Sequence, residues 1–325
     1  MKRALALVAL LALSLASACG DDDSSDGEGA AASASSESAA VTIEHRFGTT
    51  ELDSVPERIV SLDTQWTDVL VALDAPPVGA ALDPQVEGGR YPWQADFPAS
   101  IEGIEVSFAD LTIPYEEVAA LEPDLIVVSW AAEDESDYDQ LSEIAPTIPL
   151  LGDAQVDQWQ DMAATAGEFL QAPDEAEALI ASTDQAAADV LAELPGLEGK
   201  TYAMANYVPG DQMYVVADPD DGAATLFAQL GMEIDPDLVA IADGASGRVE
   251  LSLERIGELD ADLLLLLTNG ADPAEIPGYS ALPAVQSGAV SILDLALATG
   301  INTPTPLSVP WALDALQPAL QAAAA

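Results

Sequence analysis

The chain has 325 residues, 50% of them hydrophobic, and a formal charge of −49 from 57 acidic against 8 basic side chains. A field of that sign repels phosphate backbones and anionic lipid headgroups, which excludes nucleic acid and a bare membrane surface as partners. One cysteine and one histidine exclude an intramolecular disulfide and remove the usual donors for zinc, manganese or copper, so no metal site is expected.

Met1-Lys2-Arg3 is a basic start, and Ala4 to Ala18 is apolar but too short to span a bilayer comfortably. The stretch ends Ala16-Ser17-Ala18-Cys19. Small residues before a cysteine resemble the lipobox of bacterial lipoproteins, which makes 1–18 a signal peptide and Cys19 the lipidated residue. From Gly20 to Ala40 there is no aromatic or large aliphatic side chain. Such a segment buries too little surface to offset its ordering entropy, so 19–40 reads as a disordered tether.

Val41–Phe47 alternates apolar and polar and predicts an edge strand. Arg58–Leu62 predicts a short buried strand, Thr64–Leu73 a helix with Trp66, Val69, Leu70 and Leu73 at helical spacing, and Val78–Leu82 the next strand. A long loop, Asp83 to Pro98, precedes a helix at Tyr115–Leu121, a strand at Asp124–Trp130, a helix near Asp137–Ile144 and a strand at Thr147–Leu151. The alternation predicts a parallel sheet covered on both faces. Pro173 opens a long helix, near Asp174–Leu194 and about 30 Å in length. A second α/β series follows, with a strand at Lys200–Asn206, a helix near Ala223–Leu230, elements at Glu254–Leu259, Leu263–Thr268 and Val290–Leu293, and a last helix near Val309–Ala322. The expected organisation is an N-terminal α/β lobe over 41–172, a linking helix over 173–195 and a C-terminal α/β lobe over 196–325.

One pattern occurs twice. Glu116 aligns with Glu254, Leu121 with Leu259 and Asp124 with Asp262, and an apolar run follows each Asp. Two similar halves imply a cleft between them, where a ligand would sit.

Val41-Thr-Ile-Glu-His-Arg-Phe-Gly-Thr-Thr, Val55-Pro-Glu-Arg-Ile-Val-Ser-Leu, Thr67-Asp-Val-Leu-Val-Ala-Leu-Asp-Ala-Pro-Pro-Val-Gly, Leu121-Glu-Pro-Asp-Leu-Ile and Ala281-Leu-Pro-Ala-Val-Gln-Ser-Gly-Ala-Val form an ordered series. Over about residues 41–322 it resembles the iron–siderophore substrate-binding lipoproteins of ABC importers. The resemblance implies two Rossmann-like lobes with mostly parallel sheets joined by one rigid helix, and only slight hinge motion. It also implies that Glu116 and Glu254, one per lobe, dock onto arginines of the permease, a pairing that carboxylate and guanidinium make directional. The expected protein is a monomer, anchored by lipid on the extracytoplasmic face of the cell membrane. It would hold a ferric chelate as cargo and no cofactor.

In open α/β sheets, ligands bind beyond the carboxyl ends of the strands. That rule selects Gln65 and Trp66, Arg90, Tyr91 and Trp93, and Ser129 and Trp130 in the first lobe. In the second it selects Asn206 and Tyr207, Arg248, and Thr268 and Asn269. Arginine offers planar donors that keep their charge, and Trp and Tyr offer flat apolar walls. Trp66, Arg90, Tyr91, Trp93, Trp130, Tyr207, Arg248 and Asn269 are therefore the expected ligand-binding set.

His45 lies in the first strand, where a structural role is expected. The chain holds no nucleophile elbow, P-loop or dinucleotide fingerprint, so no enzyme is expected. Cobalamin or haem binding on the same fold is the alternative cargo. An extracellular enzyme or a scaffold lipoprotein is the remote alternative.

Overall fold

β1 (Val41–His45) and β2 (Gly48–Leu52) form an antiparallel hairpin. His45 is buried there, within hydrogen-bonding distance of the Thr50 hydroxyl at 3.0 Å. The single expected edge strand is thus half of a hairpin; the two-residue turn at Arg46 and Phe47, closed by the His45–Gly48 pair, is what periodicity alone does not show. The computed structural model describes residues 40–106, 112–132, 134–154, 156–210, 212–219, 221–242 and 247–325. The signal segment, Cys19 and all but the last residue of the tether lie outside the described residues.

The first sheet takes β3 (Ile59–Ser61), β4 (Gly79–Leu82), β5 (Glu102–Glu105), β6 (Leu125–Val127) and β7 (Thr147–Ile148) in the order β5-β4-β3-β6-β7, all parallel. Its helices are α1 (Thr64–Ala72), α2 (Tyr115–Ala120), α3 (Glu135–Ser142) and α4 (Trp159–Phe169). Successive side chains along a strand face opposite ways. Leu125 and Val127 accordingly join the core with α1 and α4, while Ile126 and Val128 join the one with Val118 and Leu141.

α5 (Pro173–Glu193) is a 21-residue helix that belongs to both halves. Ile180 packs with the first half's core, and Ala187, Val190 and Leu191 with the second's. Gly167 on α4 allows the close approach, since a Cβ there would lie 2.6 Å from that of Ala176.

The second half contains β8 (Thr201–Tyr207), β9 (Met213–Val216), α6 (Gly222–Gln229), β10 (Glu233–Ile234), α7 (Pro236–Ala242), β11 (Arg248–Leu251), β12 (Leu263–Leu267), α8 (Pro283–Ser287), β13 (Val290–Leu293), α9 (Leu295–Asn302) and α10 (Ser308–Ala323). Its sheet runs β11-β9-β8-β12-β13, with β10 beside the start of β8. β8, β10, β12 and β13 are parallel, and β9 is antiparallel to both β8 and β11. The fold is the expected mixed α/β architecture with mostly parallel sheets. Glu254 sits in a 3-10 turn, Leu253–Glu258, and not in an α-helix.

The repeated Asp has a physical reason. Asp124 accepts from the backbone N–H groups of Glu57 and Arg58, both at 2.8 Å, just before β3. Asp262 accepts from Thr201 N–H at 3.0 Å and from Lys200 Nζ at 2.9 Å, at the start of β8. Each carboxylate therefore ties the amino end of the strand beside its own.

Candidate functional site: a cleft between the two sheets

Asp63 starts α1. Its Oδ1 accepts from Trp66 N–H at 2.8 Å, and its Oδ2 from the Ser129 hydroxyl at 2.8 Å. This cap satisfies a helix-end donor and fixes the rotation of the first turn. Gln65 then faces the second half, where its Nε2 donates to the Pro304 carbonyl at 3.2 Å. Trp66, one residue and about 100° further round the helix, turns inward onto Phe169, with ring centroids 6.2 Å apart.

Two cavities have walls from both halves. One, of about 210 Å³, is lined by Thr64, Gln65, Asp83, Gln85, Tyr91 and Trp130 from the first half and by Thr299 and Thr303 from the second. The other, of about 320 Å³, shares Gln65. Its first-half wall includes Asp157, Gln158 and Trp159, and its second-half wall Asp218, Asp221, Gly222, Asn302 and Pro304. The first-half residues lie beyond the carboxyl ends of β3, β4, β6 and β7, as expected for a parallel sheet. The second half contributes mainly the end of α9 and the strip after it. Gly222 has a positional reason: a Cβ there would collide with the Asn302 carbonyl.

The seam beside these cavities is polar and buried. Asp68 is buried, and its Oδ1 accepts from Gln94 Nε2 at 2.7 Å. Its Oδ2 accepts from Trp93 Nε1 and from the Thr305 hydroxyl, both at 2.7 Å. Burial pushes the Asp68 carboxyl up to about 7, against the pull of those three donors. Burial also raises Asp63 to about 6. The Tyr91 hydroxyl donates to Asp83 and lies 3.4 Å from that of Thr299; burial and that acceptor hold its phenol well above its ordinary range. Tyr91 and Trp93 stack at 4.6 Å, and Trp93 meets Trp311 at 5.1 Å.

Of the expected ligand set, Tyr91 and Trp130 line a cavity, and Trp93 forms the seam behind it. Trp66 does not reach the cleft: it is fully buried, and the helical spacing that marks α1 also marks it as core. Arg90 lines neither cavity, since Nη2 donates to the Ile101 carbonyl at 3.2 Å and the guanidinium lies over Phe97. Asn269 is a turn residue. Its φ is +50°, a left-handed conformation that Asn tolerates, and Nδ2 donates to Asn206 Oδ1 and the Tyr207 carbonyl at 2.6 and 2.8 Å. Tyr207 packs on the second core and lines neither cavity. Arg248 is exposed at the start of β11 and acts electrostatically on Asp221. Residue spacing did not reveal Asp83, Asp157, Asp221 or the strip from Thr299 to Thr305. Asp83 directly follows β4, so the strand-end rule would have found it; the strip follows a helix and carries no such mark.

A family model described as periplasmic binding protein matches residues 59–296. A probable siderophore-binding lipoprotein of Bacillus subtilis, YfiY, is 27% identical over 238 residues, which is 72% of this chain and 70% of that protein. The Staphylococcus aureus SirA structure with staphyloferrin B is 26% identical, with a TM-score of 0.69 over 85% of this chain and 97% of SirA. The Streptococcus pneumoniae PiaA structure with ferrichrome shares the fold, with a TM-score of 0.72 over 87% of this chain and 98% of PiaA at 24% identity. With its paired α/β halves, its bridging helix and a cleft at the strand ends, the chain belongs to the periplasmic binding protein family.

Proposed function

We propose that this protein captures a ferric siderophore in the cleft between its halves and delivers it to an ABC permease. The observation that carries the reading is the pair of cavities walled by both halves at the carboxyl ends of the first sheet's strands. Relatives named for siderophore and ferric citrate binding support the choice of cargo. The protein acts as a monomer without catalysis, held by lipid on Cys19 at the extracytoplasmic face.

Glu116 and Glu254 are the permease contacts in this proposal. Both are exposed. Glu116 opens α2, after parallel β5, and Glu254 follows β11, which runs in the same direction as β8.

Tryptophan fluorescence tests the capture step, because Trp130 borders a cavity. Titration with ferric hydroxamate, catecholate and carboxylate chelates should give saturable one-to-one quenching by at least one of them; no saturation by any rejects the reading. Replacing Glu116 and Glu254 together by Ala should leave binding intact and abolish uptake. Loss of binding would instead reject the docking role.

A further inference from the structure

We infer that Arg46, which lines neither cavity, is a positioning residue for the cleft: from the β1–β2 hairpin it braces the β7–α4 connection that walls the larger cavity. The inference rests on the cleft being the capture site and adds what holds one of its walls in shape.

That connection supplies Ala154, Val156, Asp157 and Gln158 to the wall. Its described residues form no helix or strand. No ladder of backbone bonds orders them, so contacts from outside must offset the entropy of fixing them. Arg46 provides three. Its N–H donates to the Leu150 carbonyl at 2.9 Å, its Nε to the Gly152 carbonyl at 3.0 Å and its Nη2 to the Ala154 carbonyl at 2.6 Å. One planar guanidinium thus fixes two carbonyls at a set separation, which the point charge of an ammonium does not do. The connection also folds back on Asp157, which is buried and accepts from Leu151 N–H at 2.9 Å. Burial raises the Asp157 carboxyl, and the N–H groups of Leu151 and Gly152 and the Arg46 charge pull it back. Arg46 therefore reaches the lining in two ways, through the Ala154 carbonyl and through its field on Asp157.

A brace must itself be held. Ile43 and Leu52 of the hairpin sit in the first core. The Thr50 hydroxyl donates to the Thr147 carbonyl of β7 at 2.6 Å, and Phe47 N–H donates to His45 Nδ1 at 3.3 Å. The rings of His45 and Phe47, the two chain neighbours of Arg46, meet that of Tyr138 on α3 at 5.2 and 5.4 Å. The hairpin tip is thereby fixed to β7 and to α3, and the guanidinium projects from a rigid base. Arg58 supplies the contrast. Its guanidinium also donates to two carbonyls, those of Leu121 and Glu122, but it stands just before β3 and lines neither cavity.

Isothermal titration with ferrioxamine B, ferrichrome and ferric dicitrate tests this on the wild type, Arg46→Ala, Arg46→Lys and Arg58→Ala. For each chelate that saturates the wild type, Arg46→Ala should weaken binding about tenfold and Arg58→Ala less than about twofold, although each loses one charge and two carbonyl contacts. Arg46→Lys, the milder change, keeps the charge and the backbone contact but not the fork, and should stay at least about threefold weaker than the wild type. Amide exchange read by mass spectrometry, without any ligand, should quicken about fivefold or more over residues 150–158 in both Arg46 variants and not in Arg58→Ala. Wild-type affinity in Arg46→Lys, equal losses in Arg46→Ala and Arg58→Ala, or unchanged exchange over 150–158 overturns the brace and leaves ferric-chelate capture standing. Saturation of the wild type by none of the three chelates overturns both.

Discussion

Asp124 and Asp262 occupy equivalent places in the two halves and do the same work, each tying the amino end of the neighbouring central strand. At the cleft the halves part. The first half builds its cleft wall from residues directly beyond parallel strands: Gln65, Asp83, Trp130 and Asp157. The second breaks the parallel pattern with β9 and supplies much of its wall from the end of α9 and the strip through Thr305. A repeated scaffold thus carries two unlike walls. The repeat explains why the molecule has a cleft, and the unlike walls determine what the cleft can recognise.

The seam gives the sharpest way to break this comparison. Asp68 belongs to the first half, yet one of its three donors, Thr305, comes from the second. Replacing Asp68 by Ala leaves buried donors unpaired and should cost about 3 kcal/mol in urea-induced unfolding. A cost no larger than that of removing Asp124 would mean the seam is ordinary surface.

The same carboxyl gives the seam a pH signature. With Asp68 raised to about 7 and Asp63 to about 6, the folded chain keeps protons that the unfolded chain releases near pH 4. In that window the unfolded state binds fewer protons, so stability falls as pH rises. The contribution is fully present below about pH 4 and lost once pH passes about 7. Between about pH 5 and pH 8 the wild type should lose on the order of 2 kcal/mol more stability than Asp68→Asn. Parallel pH profiles for the two would contradict the assignment.

The smallest effect sharpens the repeat itself. Asp124→Ala and Asp262→Ala should each cost about 1 kcal/mol, because the donors released are half-buried or exposed and water replaces the lost acceptor. Comparable costs by denaturant melt support equivalent roles. A large disparity would leave a likeness of sequence without a likeness of function.

The scaffold was legible in the sequence because its signals are local. Apolar runs marked β6 and β12, the Pro173 start marked α5, and helical spacing marked α1. The doubled Glu and Asp spacing marked equivalent positions before the chain was seen folded. The cleft was half legible. Tyr91 and Trp130 follow the strand-end rule, but Trp66 satisfies that rule and the helical core pattern together, and packing against Phe169 wins. Arg90 and Asn269 have the right chemistry, but neighbouring carbonyls already use it. The strip from Thr299 to Thr305 owes its place to Gly222 and Asp68, one far back along the same half and one in the other half, a relation no local window contains.

Anomalous diffraction at the iron edge, from crystals of the protein loaded with ferrioxamine B, tests capture between the halves most directly. The account predicts one iron peak in the cleft, bounded by Gln65 and Tyr91 on one wall and Thr299 and Asn302 on the other. An iron peak on the outer face of either sheet, or loaded protein with no ordered iron at all, would contradict it.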